Sequence, residues 1–141
     1  MKNIFIYIIS LIPKTILSKL ENLFSISQGK GFSNKIWNVS RFVLMNLEGF
    51  DINSVNKDEL ELELVDKWIF SKLNKASKKV NENLESFTLD EAAKGAYEFL
   101  RGDFCDWYVE LAKTRLYNSE DETSKKTAQY VLWTVLEEGL R

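Results

Sequence analysis

From Leu62 to Leu84 apolar residues return at every third or fourth position: Leu62, Val65, Ile69, Leu73, Ala76, Val80 and Leu84. That is the spacing of one face of an α-helix, and a strand would instead alternate at every second residue. Three further stretches carry the same spacing, and little interrupts them. The one proline, Pro13, sits near the start, and the six glycines form no dense turn clusters. The pattern predicts an all-α fold: an antiparallel bundle of four main helices with short connections, and room for a fifth from the N-terminus. A chain of 141 residues is long enough for one such domain with a real core.

The first main helix is expected over Phe32 to Leu47, with Phe32, Ile36, Val39, Val43 and Leu47 along one side and Trp37 and Leu44 widening it. Gly49 is placed to end it in a left-handed turn. The second helix is expected over Glu59 to Ser86, with Trp68 flanking its stripe and Lys67, Lys75, Lys78 and Lys79 on a solvated face. Thr88-Leu89-Asp90-Glu91 has capping-box spacing and opens a third helix running to Tyr117. Its buried side reads Leu89, Ala93, Ala96, Leu100, Phe104, Trp107 and Leu111, while Gly95 and Gly102 mark a close crossing or a bend. Val109 falls nearly opposite that stripe, so it packs on another element or meets a ligand. Ser119-Glu120-Asp121-Glu122 offers a second box for the last helix, whose apolar stripe is still running at Arg141, as at a cut end. The four tryptophans, one per helix, are expected in or beside the core.

Residues 1–31 read as a segment apart from a domain over 32–141. Ile4 to Ile12 is apolar but about half the roughly 20 residues a membrane-spanning helix requires. No A-x-A cleavage pattern follows it, and from Pro13 the segment turns amphipathic. A helix packed on the domain is expected ahead of a disordered start, and membrane attachment is the least favoured reading. Ser27 to Gly31 (SQGKG) reads as a hinge between the two parts.

The absence of histidine and the single cysteine, Cys105, exclude several chemistries. An internal disulfide is impossible, which fits a reducing compartment such as the cytoplasm. Zinc sites of the Cys/His kind and Ser-His-Asp or Cys-His catalysis have no residues to build them. With a net charge of −2 no global field draws the protein to nucleic acid, so any such contact must come from a local face. One candidate face lies in Asn34 to Phe42 (NKIWNVSRF), where Asn34, Lys35, Asn38 and Arg41 surround Phe42, with Met45 beside it. Phe42 is either covered by a neighbouring helix or open to a flat ligand. Amides, cations and one ring are the groups that hold an unpaired nucleotide, through its edge, its phosphate and its face.

Four strings taken together resemble one family: NKIWNVSRFVL from Asn34, LVDKWIFSKLN from Leu64, DFCDWYVELAK from Asp103 and TAQYVLWTVL from Thr127. Their order and spacing are similar to the anticodon-binding domain of valyl-tRNA synthetase, a class I aminoacyl-tRNA synthetase, and the likeness covers Phe32 to Arg141. The resemblance implies a ligase that activates valine with ATP and Mg²⁺ and loads it onto tRNA. Its catalytic HIGH and KMSKS signatures are absent here, so no cofactor is expected in this chain and no activity from it alone. The N-terminal thirty residues do not match the family's lead-in. In that family the bundle holds the anticodon loop, which implies tRNA(Val) as partner, with the remaining synthetase domains as a second, and no role for DNA. Carried onto matching positions, the implied contacts are Lys35 at a base edge or phosphate, Phe42 against a base, and Val109 closing the apolar side. Asn34, Asn38 and Arg41 are supporting contacts by position, and Asp106 and Glu110 are expected to bond within the bundle. The rival reading is a stand-alone helical module for protein–protein interaction, which would bury Lys35, Asn38, Arg41 and Phe42 against a partner.

Overall fold

The computed structural model describes residues 26–117 and 121–141. Among them every regular element is helical: α1 (Ile26–Asn46), two 3₁₀ turns (Ile52–Ser54 and Lys57–Glu59), α2 (Leu64–Glu85), α3 (Leu89–Glu98), a π-helical segment (Phe99–Tyr108), α4 (Val109–Tyr117) and α5 (Glu122–Leu140). The backbone stays in the right-handed helical region through Glu98, Phe99 and Val109. α3, the π segment and α4 therefore form one rod, and the four-helix expectation holds. The readings of residues 1–25, including the proposed fifth helix, lie outside the described residues.

Pairs of contacts give the helix directions. Lys72 meets Asp103 and Asp66 meets Tyr108, so numbers fall along α2 as they rise along the third rod, and the two run antiparallel. Phe32 meets Tyr97, Lys35 meets Asp106, and Lys113 lies over Phe42, so α1 runs parallel to that rod. α1 packs on the third rod and on α5, and α2 packs on the same two from the other side. The core between them holds Val43, Ile69, Phe104, Tyr108, Ala112, Val131, Leu132, Val135 and Leu136.

Helix ends follow local chemistry, with differences from expectation. SQGKG is no hinge, because α1 runs through it. α2 begins at Leu64 rather than Glu59, where Asp66 accepts from the Glu63 N–H at 2.9 Å and so satisfies one amide at the helix start. Gly49 takes the expected left-handed conformation, at φ 79°, in the turn that follows the end of α1 at Asn46. Thr88 does not cap α3: its hydroxyl donates instead to the carbonyl and side-chain oxygens of Asn83. It belongs to the end of α2, where Thr88 N–H reaches Asn83 O and Phe87 N–H reaches Leu84 O. That is a Schellman closure, with Phe87 at φ 58° in the place glycine usually takes. Asp121 caps α5 by accepting from the Thr123 and Ser124 amides; Ser119 and Glu120 lie outside the described residues.

The π segment rearranges the third rod. Val109 N–H donates to the Phe104 carbonyl five residues back, and such bonds spread each turn over more than 3.6 residues. Side chains beyond it therefore lag behind the α-helical phase. Val109, expected opposite the stripe, is 3 % exposed in the core, while Trp107 and Leu111, expected inside, are 63 % and 48 % exposed. Trp37, Leu84 and Leu89 are also more open than their stripes implied. Of the two glycines, Gly95 is the close crossing: a Cβ there would touch Lys79 and Val80 of α2, whereas one at Gly102 would meet nothing within 4 Å.

One polar cluster is buried with the core. Asp66, wholly inaccessible, takes Arg115 Nη1 on both carboxylate oxygens at 2.8 Å and the Tyr108 hydroxyl at 2.6 Å. Arg115 also donates to the hydroxyl and carbonyl of Ser124 at 2.9 Å and pairs with Glu63 at 3.0 Å. One guanidinium thus joins the starts of α2 and α5 to the end of the third rod. Burial first, and then the neighbouring Asp66 charge, hold the Tyr108 phenol well above the ordinary tyrosine range.

Candidate nucleic-acid interface

Because α1 and the third rod run side by side in the same direction, their facing side chains line one groove of about 530 Å³. α1 supplies Asn34, Lys35, Asn38 and Phe42; the rod supplies Cys105, Asp106, Val109, Glu110 and Lys113. Five of the six sequence-predicted site residues meet here, brought together from positions seventy residues apart. Arg41, the sixth, is exposed on α1 and does not line the groove.

The polar rim of the groove carries two ion pairs. Lys35 Nζ donates to Asp106 Oδ1 across the gap, and Lys113 Nζ donates to Glu110 Oε1 at 2.6 Å. Asp106 and Glu110 thus bond within the bundle, as expected. Asn34 and Asn38 stand exposed on the α1 side. The floor is apolar, formed by Val39, Val109 and the Cys105 side chain, all buried. Phe42 is half-buried rather than projecting freely into solvent: it packs against the core, and Lys113 Nζ lies 5.6 Å from its ring centre. Lys113, Asp106 and Glu110 are groove residues that pattern reading did not select as contacts. The signal available was the i, i+3, i+4, i+7 spacing of Asp106, Val109, Glu110 and Lys113 about Val109.

Burial pushes the Cys105 thiol up to about 11, with the positive charge of Lys35 pulling weakly the other way. The thiol is therefore protonated and covered at neutral pH. Alkylation by iodoacetamide at pH 8 is expected to proceed at least tenfold more slowly than in the urea-unfolded chain; equal rates would show an open groove floor. The sign of the linked stability follows from the raised value. The contribution is complete below the unfolded thiol value of about 8.5 and is lost as pH rises from there toward 11.

Among the described residues no group of acidic or cysteine side chains is placed to hold a metal ion, and no helix is long and apolar enough to cross a membrane.

Comparison with known proteins adds to this geometry. The family model for the anticodon-binding domain of tRNA ligase matches residues 66–141, from α2 to the end. The chain is 63 % identical over 118 residues to a valine–tRNA ligase of Fusobacterium nucleatum, a match taking in 82 % of this chain and 13 % of that protein. It is 50 % identical over 112 residues to one of Geobacter sulfurreducens, covering 79 % and 12 % of the two chains. A third, from Thermosynechococcus vestitus, is 45 % identical over 124 residues, covering 87 % and 14 %. A match spanning 82 % of 141 residues is too long to fit without α1, so the likeness takes in both walls of the groove. The chain spans about an eighth of the length of these relatives. With a helical bundle of this order and a family match over more than half its residues, the chain belongs to the anticodon-binding domain family of tRNA ligases.

Proposed function

We propose that this chain is the anticodon-reading module of a valine–tRNA ligase and that unpaired bases of the tRNA(Val) anticodon loop enter the groove between α1 and the third rod. The observation that carries the reading is the convergence of Asn34, Lys35, Asn38, Phe42 and Val109 on that groove. Phe42 offers a flat apolar face beside a base, Val109 an apolar floor, Lys35 a cation for a base edge or phosphate, and the two asparagines donors and acceptors. Arg41, exposed outside the groove, supplies a cation for the RNA backbone in this reading. Amino-acid activation with ATP and Mg²⁺ belongs to the other domains of such a ligase, and the site of action is the cytoplasm.

The test is a titration of the purified chain at low salt with a valine anticodon stem-loop and with stem-loops differing only in the anticodon. Saturable micromolar or weaker binding is expected, falling with salt, and lost when the middle and last anticodon bases are replaced. Equal affinity for every anticodon, or none for any, would overturn it. Concentration-dependent self-association without RNA binding would instead support the helical interaction module.

A further inference from the structure

Two carboxylates in a groove that receives RNA demand a reason. A groove built for phosphate would carry lysines alone, but here Lys35 and Lys113 are matched one for one by Asp106 and Glu110. The two pairs balance in formal charge, so the groove adds little attraction for the backbone beyond the exposed Arg41 and favours base edges. Both carboxylates remain open to an incoming group, with side-chain exposures of 48 % for Asp106 and 60 % for Glu110. Each lysine engages one oxygen, Oδ1 of Asp106 and Oε1 of Glu110, which leaves the other oxygen of each carboxylate as an acceptor among the described residues.

An ionised carboxylate only accepts hydrogen bonds, so the edge placed against it must donate. Adenine offers its 6-amino group and cytosine its 4-amino group at the position where guanine and uracil present a carbonyl oxygen. Valine codons begin with G and U, so the middle and last bases of the matching anticodons are adenine and cytosine. We propose that Asp106 and Glu110 are specificity-determining residues that accept from the exocyclic amino groups of these two bases. This rests on the anticodon reading above. The lysines hold the two carboxylates in place, and a carbonyl-bearing base would set oxygen against oxygen, which turns the same pair into a means of rejection.

The experiment removes the amine without changing the shape of the base. Stem-loops carrying purine riboside for the middle adenosine, or pyrimidin-2-one riboside for the last cytidine, are titrated against the native chain. They are then titrated against D106A and E110A, which alter half-exposed positions and are checked by thermal melt. The native chain is expected to bind each amine-lacking loop about tenfold more weakly than the valine loop. Each alanine variant is expected to lose the discrimination against one of the two amine-lacking loops, binding it and the valine loop alike, and a variant that keeps both would strike that residue from the assignment. If the native chain selects the valine anticodon yet ignores the amines, this assignment is overturned while the anticodon reading stands. Tighter binding of every loop by both variants, with discrimination kept, would make the carboxylates mere counter-charges for the lysines. No binding to any loop would overturn both readings. The measurements on the native chain need no variant to fold.

Discussion

Arg115→Ala is expected to destabilise the fold by about 3–5 kcal/mol, because it leaves Asp66 as a buried charge without its cation. Few positions could cost more, since a domain of this size has roughly 5–15 kcal/mol in hand. Asp66 is wholly inaccessible, and without the guanidinium it would keep, among the described residues, the Tyr108 hydroxyl and the Glu63 amide. Two bonds from neutral groups do not replace a charge-assisted contact to both carboxylate oxygens. Asp66→Leu with Arg115→Met is expected to recover much of the loss, as apolar pairs of similar volume often replace buried ion pairs without penalty. Urea denaturation followed by circular dichroism measures both, and a loss below 1 kcal/mol in Arg115→Ala would contradict the account. The same cluster gives a pH dependence. An unfolded tyrosine loses its proton near 10, whereas Tyr108 keeps its proton well beyond that value. The stability held by this neutral phenol is therefore complete below about pH 10 and is lost as pH climbs past it. Tyr108→Phe should flatten that alkaline decline.

Removing the flat face of Phe42 is expected to weaken stem-loop binding ten- to a hundredfold, the roughly 1–3 kcal/mol typical of a stacked base. Alanine alone is an ambiguous probe, because Phe42 packs partly against the core and its deletion costs stability as well. Phe42→Leu separates the two effects. It keeps most of the apolar volume, at a cost below about 1.5 kcal/mol, but has no ring to lie against a base. A near-native melt combined with the full loss of affinity supports a base-facing ring. Unchanged affinity in Phe42→Leu together with a large drop in melting temperature for Phe42→Ala would return the residue to a packing role.

Much of the bundle was legible in the sequence because apolar spacing fixes which face of each helix turns inward. Ile36, Val39 and Val43 on α1, and Ile69 and Leu73 on α2, lie buried where the 3.6-residue period put them. The third rod misled that reading because the period itself changes over Phe99–Tyr108, and no residue in the string announces i→i+5 bonding. Val109 fell opposite the stripe for that reason and is instead buried at the groove floor. Thr88 misled for another reason: its hydroxyl had a choice between the helix ahead and the one behind, and Asn83 offered two acceptors. The polar cluster was invisible because Asp66, Tyr108, Arg115 and Ser124 share no local motif, and only the packing of three elements brings them together.

That cluster also bears on how the chain folds and unfolds in time. Arg115 bonds to Asp66, 49 residues away, as well as to Glu63 and to the nearby Ser124, so the full set forms only after three segments have docked. Turn closures such as the one at Phe87 involve neighbours a few residues apart and are available early. The guanidinium is therefore expected to act as a latch set after the folding barrier, with a φ-value near zero. In a chevron, Arg115→Ala should raise the unfolding rate by about two to three and a half orders of magnitude, as about 1.4 kcal/mol corresponds to each tenfold, and leave the folding limb nearly in place. A variant that slowed folding instead would put the latch in the nucleus. The lifetime of the native bundle, more than the speed of its assembly, then depends on a single arginine.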